Sequence, residues 1–212
     1  MYYKVIKTGS AGNCVLIDHI AVDIGVPYSL IKEEEIQLLL LTHTHSDHIR
    51  PSTLKTLLKR HPLTLVCAPY HMRDYLREHG IDEGGIERIT YLDPMTMYDV
   101  GTARLICEPV PHNVPNVAWK IKLADGTSIF YATDAGNLHR INALGYDYYF
   151  IEANYGQDEI MERIRHKEAA GEYVHEWDAM ENHLSREQAI DWLAHNTTPE
   201  SKVIYLHQHQ EK

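Results

Sequence analysis

Cysteine is scarce in this chain, and what there is does not pair. Cys14, Cys67 and Cys107 are three in number, lie far apart, and each stands in an apolar run. An odd set without C-x-x-C spacing excludes a disulfide scaffold and a thiolate metal site, and leaves three reduced core residues. Long hydrophobic runs are also missing. No stretch approaches the roughly 20 apolar residues that a membrane-crossing helix needs, and residues 1–7 contain no apolar signal core. A cytoplasmic location is the expectation. Basic charge is in deficit: 20 Lys and Arg against 30 Asp and Glu give a net charge of −10. Such a surface repels a long nucleic-acid backbone unless a local basic stripe or bound cations reverse the sign. No internal repeat, low-complexity stretch or linker interrupts the 212 residues. That length suits one domain, 1–212, with a sizeable core.

Histidine, by contrast, is abundant, with 15 residues. They concentrate after Leu38-Leu39-Leu40-Leu41-Thr42, where His43, His45, Asp47 and His48 follow within six residues. The four leucines form a short apolar run that reads as a buried strand. The loop after it carries three imidazoles and a carboxylate, the ligand types that suit zinc, manganese or iron. A polar loop that is histidine-rich by chance is the bland alternative, and the H-x-H-x-D-H spacing is too specific for it.

Taken in order, the chain opens with a strand over residues 2–6, which Thr8-Gly9-Ser10-Ala11-Gly12-Asn13 then breaks. Strands are predicted over 14–17 and 20–24, the second with Asp23 near its end, then a helix over 27–35 and the strand 37–42. Helix 51–59, strand 63–68, helix 70–79 and strand 86–91 continue an alternation that indicates an α/β layered fold. Strands follow over 96–100, 103–109, 118–123 and 128–133, with Asp125-Gly126 as a hairpin turn. Strand 147–153, helix 158–170, an unassigned stretch 171–182, helix 186–195 and strand 203–206 complete the chain. Ser185 with Gln188 makes a capping box for the last helix.

One arrangement recurs: an apolar strand with His or Asp at its exit. It occurs at the histidine cluster, at Asp134 and at His207, and His112 lies in the proline-bounded loop Pro111-His112-Asn113-Val114-Pro115. A lone His or Asp at a strand end is most often a turn residue. Together these residues supply seven nitrogen and oxygen donors, enough for two metals sharing one carboxylate.

In this order the motifs resemble those of the metallo-β-lactamase-fold hydrolases, over nearly the whole chain. The resemblance implies an αββα sandwich of two mixed β-sheets flanked by helices, holding two divalent ions, zinc or else manganese. By it, His43, His45 and His112 hold one ion, Asp47, His48 and His207 the other, and Asp134 bridges them. Asp23 in Val22-Asp23-Ile24-Gly25 matches the early aspartate that buttresses the metal loop. The opening Thr8-Gly9-Ser10-Ala11-Gly12-Asn13-Cys14 resembles that of the small single-domain DNA exonucleases of the fold. Phe150-Ile151-Glu152-Ala153-Asn154 and Asn182-His183-Leu184-Ser185 resemble the paired Glu and His motifs of those enzymes and of tRNase Z. In those relatives the His contacts the scissile phosphate or protonates the leaving oxygen, and the Glu orients it.

The chain departs from the pattern in three places. Asn113 follows His112 where relatives often carry Asp. The Ser and Asn residues that often follow the last ligand are absent, and His209 competes with His207, which is preferred because it leaves the strand directly. Residues 135–182 are too few to hold the extra β-CASP domain of the RNA-cleaving relatives.

The resemblance therefore implies a dinuclear phosphodiesterase in which a metal-activated hydroxide attacks a nucleotide or nucleic-acid phosphodiester, with Asp47, Glu152 and His183 catalytic. A cyclic mononucleotide and short DNA both stand as substrates. For DNA, Arg50, Lys55, Lys59 and Arg60 could line a groove, although a solvated helix face is the simpler role. Hydrolysis of a carbon ester, lactone or thioester is the alternative; the ligand set does not separate the two, and the Glu152 and His183 motifs favour phosphorus. A metal-binding regulatory protein without turnover is the third reading. A homodimer is expected, with residues 155–182, including Tyr155, Tyr173 and Trp177, serving as a lid or interface, or as a plain surface helix and loop.

Overall fold

The computed structural model describes residues 1–81 and 88–207. The chain divides into two compact units, Met1–Tyr98 and Asp99–Lys212. The first is built on a six-stranded mixed sheet whose strands lie in chain order: β1 (Tyr3–Lys7), β2 (Cys14–Ile17), β3 (Ile20–Val22), β4 (Leu38–Leu40), β5 (Leu65–Pro69) and β6 (Ile89–Leu92). β1, β2 and β3 form an antiparallel meander, and β3 to β6 run parallel. Helix α1 (Pro51–Arg60) begins on Pro51, whose missing N–H is no loss in the first turn. It buries Leu54, Leu57 and Leu58 in one cluster with Leu39, Leu41 and Val66 of the sheet side, and α2 (Arg73–Glu78) adds Leu76. Each such leucine stabilises the unit by about 1.5–3 kcal/mol.

The helix expected over 27–35 is not there. Tyr28–Leu30 makes a short 3₁₀ turn, followed by further hydrogen-bonded turns. The apolar side chains buried around this stretch, Val26, Ile31 and Ile36, recur at five-residue intervals, a spacing that no α-helical face keeps. The strand expected over 86–91 is found as β6, and its first two positions lie outside the described residues.

The second sheet contains β7 (Tyr98–Asp99), β8 (Ala103–Val110), β9 (Asn116–Leu123), β10 (Ser128–Ala132), β11 (Tyr148–Glu152) and β12 (Lys202–Leu206), again in chain order. β8, β9 and β10 are antiparallel, while β10, β11 and β12 are parallel. Helix α5 (Arg186–Asn196) opens with the expected capping box: Ser185 Oγ accepts the Gln188 N–H at 3.0 Å, and Gln188 Oε1 accepts the Ser185 N–H at 2.8 Å. Its Ala189 and Leu193 pack with Phe130, Tyr149 and Ile151.

The unassigned stretch 171–182 resolves into a turn and a short helix. α3 (Gln157–Ala170) stops at Gly171, whose φ of 68° is the left-handed cap that glycine favours. α4 (Glu176–Asn182) then packs back, its Ala179 and Met180 joining Ile160 and Ile164 of α3 in a small cluster of their own. α4 carries too few apolar residues to show a helical period, so local sequence gave no signal for it. All three cysteines are buried, and none forms a disulfide. Among the described residues, no helix is long and apolar enough to cross a membrane.

Candidate metal centre

The recurring strand-exit pattern follows from the parallel strands. Parallel neighbours end at the same edge, so the residues that follow them are brought together there. In the first unit, β3 delivers Asp23 and β4 delivers Thr42 and His43. Asp23 is fully buried, in a left-handed conformation with φ of 59°. Its Oδ1 accepts the Thr42 N–H at 2.9 Å, and its Oδ2 accepts the Thr42 hydroxyl at 2.9 Å and faces His48 Nδ1 at 2.7 Å. A buried carboxylate with three donors is fully satisfied. The Thr42 hydroxyl gives its one proton to Asp23, so it accepts from His43 Nδ1, 2.9 Å away. Both rings are thereby held as the tautomer whose Nε2 carries the lone pair, the form that binds metal.

The loop itself is compact. The His43 ring centroid lies 4.8 Å from that of His45 and 4.1 Å from that of His48, and Asp47 Oδ2 lies 3.7 Å from His48 Nε2. His45 O accepts the N–H groups of both His48 and Ile49. Gly25 lies so close beneath that a Cβ on it would come within 1.7 Å of Asp47 O.

In the second unit, β10, β11 and β12 deliver Asp134, Glu152 and His207 at one edge, and the turn after β8 carries His112. Asp134 and His207 both have positive φ, 55° and 51°. The Asn116 carboxamide donates to Thr133 O at 3.0 Å and Asp134 O at 2.7 Å, which holds the Asp134 turn in place. His112 Nδ1 donates to Asn182 O at 3.1 Å, so its Nε2 too bears the lone pair. His207 Nδ1 lies 2.6 Å from Asp134 Oδ1 and 3.0 Å from Glu152 Oε1. His183 Nδ1 meets the same Glu152 Oε1 at 2.5 Å. Glu152 Oε2 accepts the N–H groups of Ala135 at 3.1 Å and Leu184 at 3.4 Å. One ligand atom from each of Asp134, Glu152, His183 and His207 lies within 4.8 Å of the others.

Two buried carboxylates this close demand positive charge. Burial pushes the Glu152 carboxyl up, but the hydrogen bonds from His183 and His207 outweigh it and hold it below the usual carboxylate range. Burial lowers His207, yet Asp134 and Glu152 overcome that and raise it to about 10. His183 is lowered by burial and raised more by Glu152. A divalent cation meets the same electrostatic demand, and a mixed imidazole and carboxylate shell is what zinc or manganese takes. The donors present fit such an ion.

Each unit gathers its own share of the residues singled out in the sequence. His43, His45, Asp47 and His48 assemble around Asp23 in the first. His112, Asp134, Glu152, His183 and His207 assemble in the second. His209 lies outside the described residues. Arg50, Lys55, Lys59 and Arg60 are exposed on and beside α1. The sequence reading assigned no role to Asn13, Thr42 or Asn116. Asn13 and Thr42 lay inside motifs already noted, whereas Asn116 had no local signal at all.

The family model described as "Beta-lactamase superfamily domain" matches residues 22–208. No curated protein matches the chain in sequence. Among solved structures, human tRNase Z, short form (ELAC1), superposes with a TM-score of 0.70 at 14% identity, over 98% of this chain and 92% of that one. The metallo-beta-lactamase fold protein YhfI from Bacillus subtilis gives 0.69 at 13% identity, over 99% and 87%. A structure titled a new diphosphatase from the PhnP family gives 0.64 at 15% identity, over 97% and 86%. At such identities the likeness speaks to the fold. With the sequence match and the donor sets of both units, it leads to one conclusion: the chain belongs to the beta-lactamase superfamily domain family, a superfamily of metal-dependent hydrolases.

Proposed function

We propose that the chain is a dinuclear metal-dependent phosphodiesterase acting on a nucleotide or nucleic-acid substrate, a cyclic mononucleotide or short DNA. The ligand assignment follows the family resemblance: His43, His45 and His112 for one ion, Asp47, His48 and His207 for the other, and Asp134 shared. When bound, the ions supply Lewis acidity and a nucleophile at neutral pH. The chain supplies the rest. The observation that carries the reading is the 2.5 Å contact between His183 Nδ1 and Glu152 Oε1. Cleavage of a P–O bond leaves an alkoxide that needs a proton. An imidazolium whose Nδ1 is held by a fully buried carboxylate presents Nε2 to give one. The His183 side chain is 20% exposed while Glu152 is wholly buried, so the ring is reachable and its partner is shielded. Two structural neighbours titled tRNase Z and diphosphatase support the same reading.

The test is hydrolysis of bis-p-nitrophenyl phosphate by the metal-reconstituted chain beside His45→Ala and His183→Ala. Both variants should lose at least about 100-fold in turnover, and bound metal should fall in His45→Ala alone. A fully metallated protein that turns over lactones or thioesters and no phosphodiester would refute the proposal. Comparing 3′,5′-cyclic nucleotides with short DNA then separates the two substrates.

A further inference from the structure

The loop between β1 and β2 ends in Asn13, a residue for which the proposed function has no use. Asn13 is 1% exposed, and its carboxamide reaches into the histidine loop. Its orientation is fixed, because Oδ1 accepts the Gly9 N–H at 2.8 Å and the other end must therefore be the NH₂. That nitrogen has two protons and four acceptors around it. They are Gly9 O at 3.2 Å, Asp47 O at 3.3 Å, Asp47 Oδ2 at 3.2 Å and His48 Nε2 at 2.8 Å. The His48 contact has only one polarity: Asp23 accepts the Nδ1 proton and an amide nitrogen cannot accept, so Nε2 offers its lone pair to Asn13. The backbone secures the placement, with Asn13 N donating to Asp47 O at 2.6 Å and Gly25 N to Asn13 O at 3.0 Å.

Three of those four acceptors belong to Asp47 and His48, the residues assigned to the second ion, and two of the three, Asp47 Oδ2 and His48 Nε2, are side-chain ligand atoms. We propose that Asn13 organises the second metal site. Its carboxamide converges the Asp47 carboxylate and the His48 lone pair on one donor, then yields them to the cation. The exchange leaves no proton stranded, since the two amide protons retain the Gly9 and Asp47 carbonyls. The cation thus finds its ligands already ordered, which is how outer-sphere partners raise metal affinity. This inference rests on the dinuclear reading.

Stepwise cobalt(II) titration of the apo-protein, full chain, tests it, followed by visible absorption and by metal retained after dialysis. The wild-type chain should take up two equivalents. In Asn13→Ala the first equivalent should bind with its spectrum unchanged, and the second should weaken about 10–100-fold. Asn13→Gln, which keeps the amide but displaces it by one methylene, should weaken the second equivalent in the same way, and it serves if the alanine variant does not fold. A second equivalent bound at wild-type affinity by a folded variant would overturn the proposal. So would equal weakening of both equivalents, which marks a general loosening of the fold. A wild-type chain that binds one equivalent would refute the dinuclear reading itself, whatever the variants do.

Discussion

Asp23 Oδ2 and His48 Nδ1 lie 2.7 Å apart, and neither side chain is reached by solvent. The pair joins the end of β3 to the far end of the histidine loop and sets the tautomer of a proposed ligand. Asp23→Ala would strand the Thr42 N–H, the Thr42 hydroxyl and His48 Nδ1 in the interior. Each buried group left unmatched costs about 1–3 kcal/mol. We expect a destabilisation of at least about 3 kcal/mol, together with loss of bound metal. Denaturant unfolding and metal analysis of the same sample check both, and a variant of wild-type stability with full metal would refute the role.

Glu152 serves two imidazoles where the sequence motif suggested one. Its Oε1 meets His183 at 2.5 Å and also His207 at 3.0 Å. Glu152→Gln should therefore lower turnover and metal retention together, whereas His183→Ala should lower turnover alone. Metal content after dialysis, measured beside kcat, separates the two. If Glu152→Gln keeps its full metal, the His207 contact has no part in ligand positioning.

Gly25 and Gly136 are both in places where only a hydrogen fits. A Cβ on Gly25 would lie 1.7 Å from Asp47 O, and one on Gly136 would lie 2.2 Å from Glu181 O. Backbone atoms cannot yield as a flexible side chain does. Gly25→Ala should displace the Asp47–His48 loop and reduce bound metal. Gly136→Ala should push on the end of α4, one residue before the Asn182 carbonyl that holds His112. Melting temperatures lowered in both variants, and metal lost from Gly25→Ala, are the expected results. Unchanged values would show that the loops have room to shift.

The α3–α4 hairpin carries its own pH dependence. Burial raises the Glu176 carboxyl, but the hydrogen bond from Lys167, 2.7 Å away, outweighs it, with His175 adding to the effect, and the group is held below its usual value. A depressed carboxylate contributes stability above its unfolded pKa and loses it as pH falls through the folded value. The hairpin should therefore loosen on acidification below about pH 4. Trp177, within α4, reports this by fluorescence. Lys167→Met should flatten the acid transition, and a transition unmoved by that change would assign it to other groups.

The sequence by itself determined the donor types and where each lies along its strand. Short apolar runs ending in His or Asp are local patterns, and parallel pairing brings such ends together within each unit, so His43, Asp134 and His207 were legible from them, while Asp23 and Glu152 were legible through the family resemblance. The capping box at Ser185 was legible for the same reason, because both partners lie within one helical turn. Tertiary structure alone decided how the donors are aimed. Asp23 and His48 are 25 positions apart, Asn13 and His48 are 35, Glu152 and His207 are 55, and His112 and Asn182 are 70. Ring tautomers, the left-handed turns at Asp23, Asp134 and His207, and the amide of Asn13 all depend on those distant partners. A buried polar group must find its hydrogen bonds wherever the packed chain supplies them, and no local pattern records where that is.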